Sequence, residues 1–410
     1  MIVSLEGGQV MRRISQRSSL CSIALLGCLL MLVVVTTPSH GQAIGTNAQH
    51  VNIGFNGPNR QLPYTTTFYA ATNSHYRSIG KTSMPGNRHC HGYLSWDVAE
   101  EPVRFGNINQ EGTRAWFEDW LKYAQGKCDE ALLTFKYIDG VSTGKGLPTA
   151  SEFEAAFKLF QSTSWAYTGW KGTFSFTPWN EPNNGARSGD GVGVPVDAKL
   201  AADYYLAVRK YCVPTNCMVA AGDFASNGHM GDDFVQKCRR GVTQLCSNAT
   251  YMDQYKYYLA TDAASYGLGS GMSFRPEIFA YHAWDDINNY INQRPNCDRV
   301  ENHHCTTWVL LNSLSTDGWE KSEIWDTEVG AGQVPQTNPE PVTQACAASF
   351  LLRLTATSSS RITRIYYTRP YENDGEHWSL FTPTGAPKPA FKVLADRDTA
   401  YLPPNGKRCP

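Results

Sequence analysis

Eight short runs rich in β-branched and aromatic residues, separated by segments of helical period, limit this 410-residue chain more than any other feature. The runs fall at 51–56, 92–98, 131–138, 173–178, 218–224, 277–282, 323–327 and 363–368. Their composition suits the pleated surface of a strand. Helices are expected between and after them, at 64–78, 111–125, 151–162, 197–210, 232–259, 303–314, 341–357 and 389–396. Start signals support two of these. Thr149 stands before Ala150-Ser151-Glu152, and Asp197 stands before an Ala-rich run. Strand–helix alternation implies a parallel sheet. Eight such units favour a closed (β/α)8 TIM barrel of the α/β class over an open doubly wound sheet. One domain suffices, because barrels of this kind reach this length. Hydrophobic residues at 41% supply its core, and no repeat, long linker or low-complexity block divides it.

The N-terminus has a different character. Arg12, Arg13 and Arg17 precede an almost wholly apolar stretch at 20–35, and small and polar residues follow, up to Ala43. This order is that of an export signal, so residues 1–43 are assigned to a signal peptide and 44–410 to the folded domain. An uncleaved anchor is the alternative, and Leu25-Leu26-Gly27-Cys28 is a poor match to a lipoprotein signal. No other stretch is apolar enough to span a bilayer.

The cysteines agree with export. Twelve are present, and Cys21 and Cys28 fall in the signal. The remaining ten, an even number, read as disulfides. Cys212–Cys217, Cys238–Cys246 and Cys297–Cys305 would each close a small loop. His89-Cys90-His91 and His303-His304-Cys305 invite a zinc site, but neither has paired ligand spacing. Asn248-Ala249-Thr250 is a glycosylation sequon. The net charge of −1 gives no reason to expect a nucleic-acid partner. No cofactor is implied, and a monomer without membrane attachment after signal cleavage is expected.

Barrels carry their chemistry just beyond the C-terminal ends of the strands. The fourth strand runs into Trp179-Asn180-Glu181-Pro182, and the seventh runs through Trp325-Asp326-Thr327-Glu328. Each sets one Glu where strand becomes loop, on opposite sides of one cleft. Cleavage of a glycosidic bond needs such a pair: one carboxyl donates a proton to the leaving oxygen, and the other attacks the anomeric carbon or stabilises its charge. Unequal environments let two like groups divide these roles.

These paired motifs resemble those of glycoside hydrolase clan A, with family 39 the nearest by pattern, over about residues 172–396. The resemblance implies a retaining hydrolase in which Glu181 is the acid/base and Glu328 the nucleophile. It further implies that Asn180 binds a sugar 2-hydroxyl and that His282, at the end of the sixth strand, touches the nucleophile. Trp378 would form the floor of the sugar site. Trp284 stands where family 39 often has Tyr, which leaves its role in doubt; together with Trp179 and Asp97 it completes the expected substrate-binding set. Asp97 and Asp223 both sit at strand ends where they could line the cleft. The plain alternatives are an ion-pairing role for the glutamates, a turn role for Asn180, and core packing for His282 and Trp378. On this reading the protein is secreted and acts on a polysaccharide or oligosaccharide. A non-catalytic carbohydrate-binding barrel and a retaining transglycosylase are the alternative functions. The absence of a G-x-S-x-G sequence argues against a serine esterase.

Overall fold

The computed structural model describes residues 51–56, 62–78, 88–100, 108–142, 147–184, 196–212, 217–225, 251–269, 274–292, 306–315, 318–330, 341–356, 361–368, 379–382, 384–404 and 409. Eight strands close into one barrel: β1 (Asn52–Asn56), β2 (His89–Ser95), β3 (Glu130–Lys136), β4 (Thr173–Thr177), β5 (Cys217–Phe224), β6 (Ile278–His282), β7 (Glu323–Val329) and β8 (Ile362–Thr368). All neighbours pair in parallel, and β1 pairs with β8 to complete the ring. The helices among the described residues are α1 (Leu62–Ser78), α2 (Arg114–Ala124), α3 (Ala150–Ser162), α4 (Ala198–Tyr211), α5 (Tyr251–Asp262), α6 (Trp284–Ile291), α7 (Thr306–Ser313), α8 (Pro341–Ala356) and α9 (Pro389–Asp396). No described helix is long and apolar enough to cross a membrane.

All eight expected strands are present. The second is displaced: it begins at His89, so 96–100 form the turn after it. The polar His89-Cys90-His91 start looks irregular in sequence. In the fold it alternates, with both histidines inside the barrel and Cys90 in the outer core, bonded to Cys128. Helix α6 is an addition, for its eight residues carry no N-cap hydrogen bond to announce it. Both start signals operate. Thr149 and Glu152 form a reciprocal capping box on α3, and Asp197 accepts from Lys199 at the start of α4. The disulfide Cys212–Cys217 closes the loop between α4 and β5 as expected, and Cys346–Cys409 ties α8 to the C-terminal tail. The other two expected pairs, the sequon, Trp378 and the N-terminal segment lie outside the described residues.

Alternation along each strand divides the apolar residues into two cores. Outward side chains meet the helices: Phe135 lies 6.0, 5.8 and 5.6 Å from the rings of Phe153, Phe157 and Phe160 on α3. Inward side chains fill the barrel, with Leu132, Ala220, Ile278, Ala280, Trp325 and Tyr366 as its apolar plug. Below the plug is a buried charge pair. Arg364 Nη1 donates to Glu130 Oε1 at 2.5 Å, and the guanidinium stacks 3.9 Å over Trp325. Burial alone would raise the Glu130 pKa, but the Arg364 charge together with the contacts to His89 and Arg364 outweighs it and holds the group far below the carboxylate range. Nearby His89 is kept neutral by burial and by that same Arg364 charge, so Arg364 is the true counter-ion.

Removing one partner of such a pair strands the other in the barrel. Glu130→Ala should therefore lower unfolding stability by about 3–5 kcal/mol in urea titration, and a loss under about 1 kcal/mol would contradict this account. The Glu130 contribution is present above the ordinary carboxylate pKa of 4.5 and should fade as pH falls below it, because the folded value is depressed.

Candidate active site

The upper half of the barrel interior is polar, and its strand ends bring two carboxylates together. Glu181 follows β4, and Glu328 lies near the end of β7. His282, the last residue of β6, sits between them, fully buried. Its Nδ1 is hydrogen-bonded to Glu181 Oε1 at 3.0 Å and stands 3.4 Å from Glu328 Oε2. Oxygens of the two glutamates and this nitrogen all lie within 4.8 Å of one another. Each carboxylate has a second support. The Asn184 side-chain amide donates to Glu181 Oε2 at 2.9 Å, and the Tyr93 hydroxyl donates to Glu328 Oε2 at 2.8 Å. Tyr93 is itself oriented by Asn56, which donates to its oxygen at 3.0 Å, and Lys136 lies 4.4 Å over its ring.

Two β-bulges aim these groups. Between β5 and β6 the register skips Asp223, and between β6 and β7 it skips Thr327. An extra residue kinks a strand and redirects its side chains. Here the Thr327 hydroxyl donates to Asp223 Oδ1, so the two extra residues are bonded to each other behind His282. Gly222 makes the first bulge possible. It has φ +95°, and a Cβ there would meet the Phe224 ring at 2.2 Å. Asp223 and Glu181 also have left-handed backbones, at φ 69° and 45°. Such conformations cost about 1–3 kcal/mol each and gather where surrounding bonds impose them. The bond that links these two runs from the Glu181 N–H to the Asp223 carbonyl, at 3.0 Å.

The electrostatics centre on His282. Burial opposes its charge, but the carboxylates of Asp223 and Glu328, with close contacts to Asp223 and Glu181, raise its pKa well above 6.5. His282 is thus an imidazolium at neutral pH. Asp223, fully buried, is held below the ordinary carboxylate range: burial would raise its pKa, and the His282 charge together with the polar contacts to His282 and Thr327 outweighs it. His91 is pushed down to about 3 by burial and adds no charge.

Other expected site residues divide. Asn180 is beside Glu181, and its Oδ1 is buried without a hydrogen-bond partner. Trp179 does not line a cleft. It lies in the bend after β4 and packs into the helix layer, 6.2 Å from Phe153 and 5.0 Å from Tyr204. Asp97 is fully buried in the turn after β2, where its carboxylate accepts from the Ser95 hydroxyl. Trp284 is the buried first residue of α6. The sequence reading missed Tyr93 and Asn184. Tyr93 belongs to an inward row with His91, two residues apart on β2. Asn184 follows Glu181 by three, a reach that a local turn provides.

No protein-family model matches the chain, and no curated protein matches it. Solved structures do. A glucosidase from Croceicoccus marinus superposes over 87% of this chain and 69% of its own, with a TM-score of 0.51 and 11% identity. An endo-β-1,4-mannanase from Cellulomonas fimi aligns over 86% of this chain and 75% of its own, at TM-score 0.45 and 15% identity. An intracellular xylanase from Thermoanaerobacterium saccharolyticum aligns over 87% and 99%, at TM-score 0.46 and 10% identity. At such identities the likeness to the glucosidase is one of fold, and that fold is the (β/α)8 barrel.

A raised folded pKa makes the His282 contribution to stability complete below pH 6.5, and the contribution is lost as pH climbs through the folded value. Melting temperature measured from about pH 6 to pH 10 should therefore fall more steeply in the wild type than in His282→Gln, which has no imidazolium to lose. Parallel curves would contradict this charge assignment.

Proposed function

We propose that this protein is a retaining glycoside hydrolase, with Glu328 as nucleophile and Glu181 as acid/base. One observation carries the reading: two carboxylates at the ends of β4 and β7 approach within 4.8 Å, oxygen to oxygen. Retaining enzymes hold their carboxyl groups about 5–5.5 Å apart, while inverting enzymes leave about 6.5–9.5 Å for a water. The division of roles follows the resemblance of Asn180-Glu181-Pro182 and Trp325-Asp326-Thr327-Glu328 to clan A motifs. The barrel likeness to a glucosidase accords with this class of chemistry.

In the first step Glu328 forms a bond to the anomeric carbon as the glycosidic bond breaks, and the Glu181 proton passes to the leaving oxygen. In the second, Glu181 takes a proton from water, whose oxygen displaces Glu328 and frees the sugar. His282 suits both states. Before the first step the ionised carboxylate beside it is Glu328; afterwards Glu328 is an ester and Glu181 carries the charge. One negative charge of the pair faces the imidazolium throughout, so the ring has no need to move. The unpartnered Asn180 Oδ1 is available to the 2-hydroxyl of the reacting sugar.

The substrate class is a polysaccharide or oligosaccharide, and the finer likeness is to family 39. The signal-like N-terminal segment and the three disulfides among the described residues support action outside the cytosol.

Release of reducing sugar ends from a panel of plant, fungal and bacterial polysaccharides tests the reading. Wild type should release them from at least one member and Glu328→Gln from none. Glu181→Ala should lose about 10²–10⁴-fold on natural substrates, and much less on aryl glycosides whose leaving group needs no proton. Turnover retained by Glu328→Gln, or equal losses of Glu181→Ala on both substrate types, would overturn the assignment.

A further inference from the structure

We infer that Asp223 is the positioning residue of this site: its main-chain carbonyl anchors Glu181, and its carboxylate fixes His282 between Glu181 and Glu328. The inference rests on the reading of those glutamates as the reacting pair. It names a residue that touches no reacting atom and acts through two groups that do.

Asp223 is the extra residue of the β5 bulge, fully buried, with a left-handed backbone. Its contacts reach the strands that lead to Glu181, His282 and Glu328. On the β4 side, the Glu181 N–H donates to its carbonyl at 3.0 Å, and the Thr177 hydroxyl lies 3.3 Å from Oδ2. On β6, His282 Nε2 stands 3.3 Å from Oδ1. On β7, the Thr327 hydroxyl donates to Oδ1 from the residue before Glu328. A side chain that only filled space would not need three polar partners inside a closed barrel, where each unpaired polar atom is costly.

The charges around the ring point the same way. Titratable groups facing His282 come from β2 (His91, with Tyr93 beyond it), β4 (Glu181), β5 (Asp223) and β7 (Asp326 and Glu328). His91 is neutral. Asp326 is kept protonated by burial, and its Oδ1 accepts the Ala283 N–H behind the sheet. Glu181 and Glu328 exchange their charge during the reaction. Asp223 is then the one neighbour whose negative charge stays constant while those two alternate. It holds the ring protonated and oriented in both states.

Asp223→Asn separates the two roles. Asn tolerates the left-handed backbone as well as Asp does, so the carbonyl that anchors Glu181 stays and only the charge is removed. Two measurements on the whole chain test the inference. The first is the ring-nitrogen NMR signal of His282 at neutral pH, assigned by its loss in His282→Gln. Both nitrogens should carry protons in wild type, and one should be bare in Asp223→Asn. The second is the kinetics of one aryl and one alkyl glycoside of the sugar released in the polysaccharide panel. Here kcat should fall by about 10²-fold on both substrates with KM little changed, unlike Glu181→Ala, which spares the aryl glycoside. Unchanged ring signals, or a variant altered in KM and melting temperature but not in kcat, would overturn the inference. If wild type cleaves no glycan but the ring proton is lost in the variant, the glycosidase reading fails and the Asp223–His282 coupling stands. Should Asp223→Asn not fold, Thr327→Val removes one donor to the same carboxylate and should lower kcat in the same direction; an unchanged kcat would overturn the inference.

Discussion

Two carboxyl groups within 4.8 Å of each other share one negative charge in the proposed reaction, and the imidazolium of His282 lies beside both of them. Much of the upper barrel is arranged to keep that charge in place. Burial works against it, so Asp223 must answer from below, itself supported by Thr177 and Thr327. Carbonyl and carboxylate of one bulged residue thereby hold the Glu181 main chain and the ring that bridges to Glu328. The strained backbones of Glu181 and Asp223 are the local cost, and the hydrogen bond between them is one of the constraints that impose it.

The barrel supplies rigidity from the opposite end. At the strand starts, Arg364 and Glu130 neutralise each other beneath an apolar plug built on Trp325 and Tyr366. Above the plug, inward positions change to Tyr93, Thr134, Thr177, His282 and Thr327. One inward row thus passes from charge pair to plug to polar site within a few residues of each strand. A barrel confines chemistry to the C-terminal face and stability to the other, and the inward rows of β2, β3 and β8 show how one strand serves both.

Strand positions were legible because each combines β-branched and aromatic residues with an alternation that one inward and one outward face require. Where the inward face was polar, as at His89 and His91, the same alternation was hidden, and β2 was read three residues late. The pair Glu181 and Glu328 was legible because strand ends are where barrels expose side chains. Trp179 was misread for a related reason: motif membership says nothing about which face a residue takes, and its ring belongs to the outer core with Tyr204. Tyr93 and Asn184 left no local mark. Their contacts with Glu328 and Glu181 exist only after β2 meets β7 across the barrel and the 181–184 turn closes. The bulges at Asp223 and Thr327 depend on registers between strands, which no single segment encodes.

The central claim, that Glu181 and Glu328 act by double displacement, is tested most directly by the anomeric configuration of the first product. Proton NMR of the reaction in its earliest minutes, before the free sugar equilibrates its anomers, resolves it. The account predicts a product with the same configuration as the bond cleaved. The opposite anomer would mean that water attacks directly, and Glu328 would then be a base rather than a nucleophile.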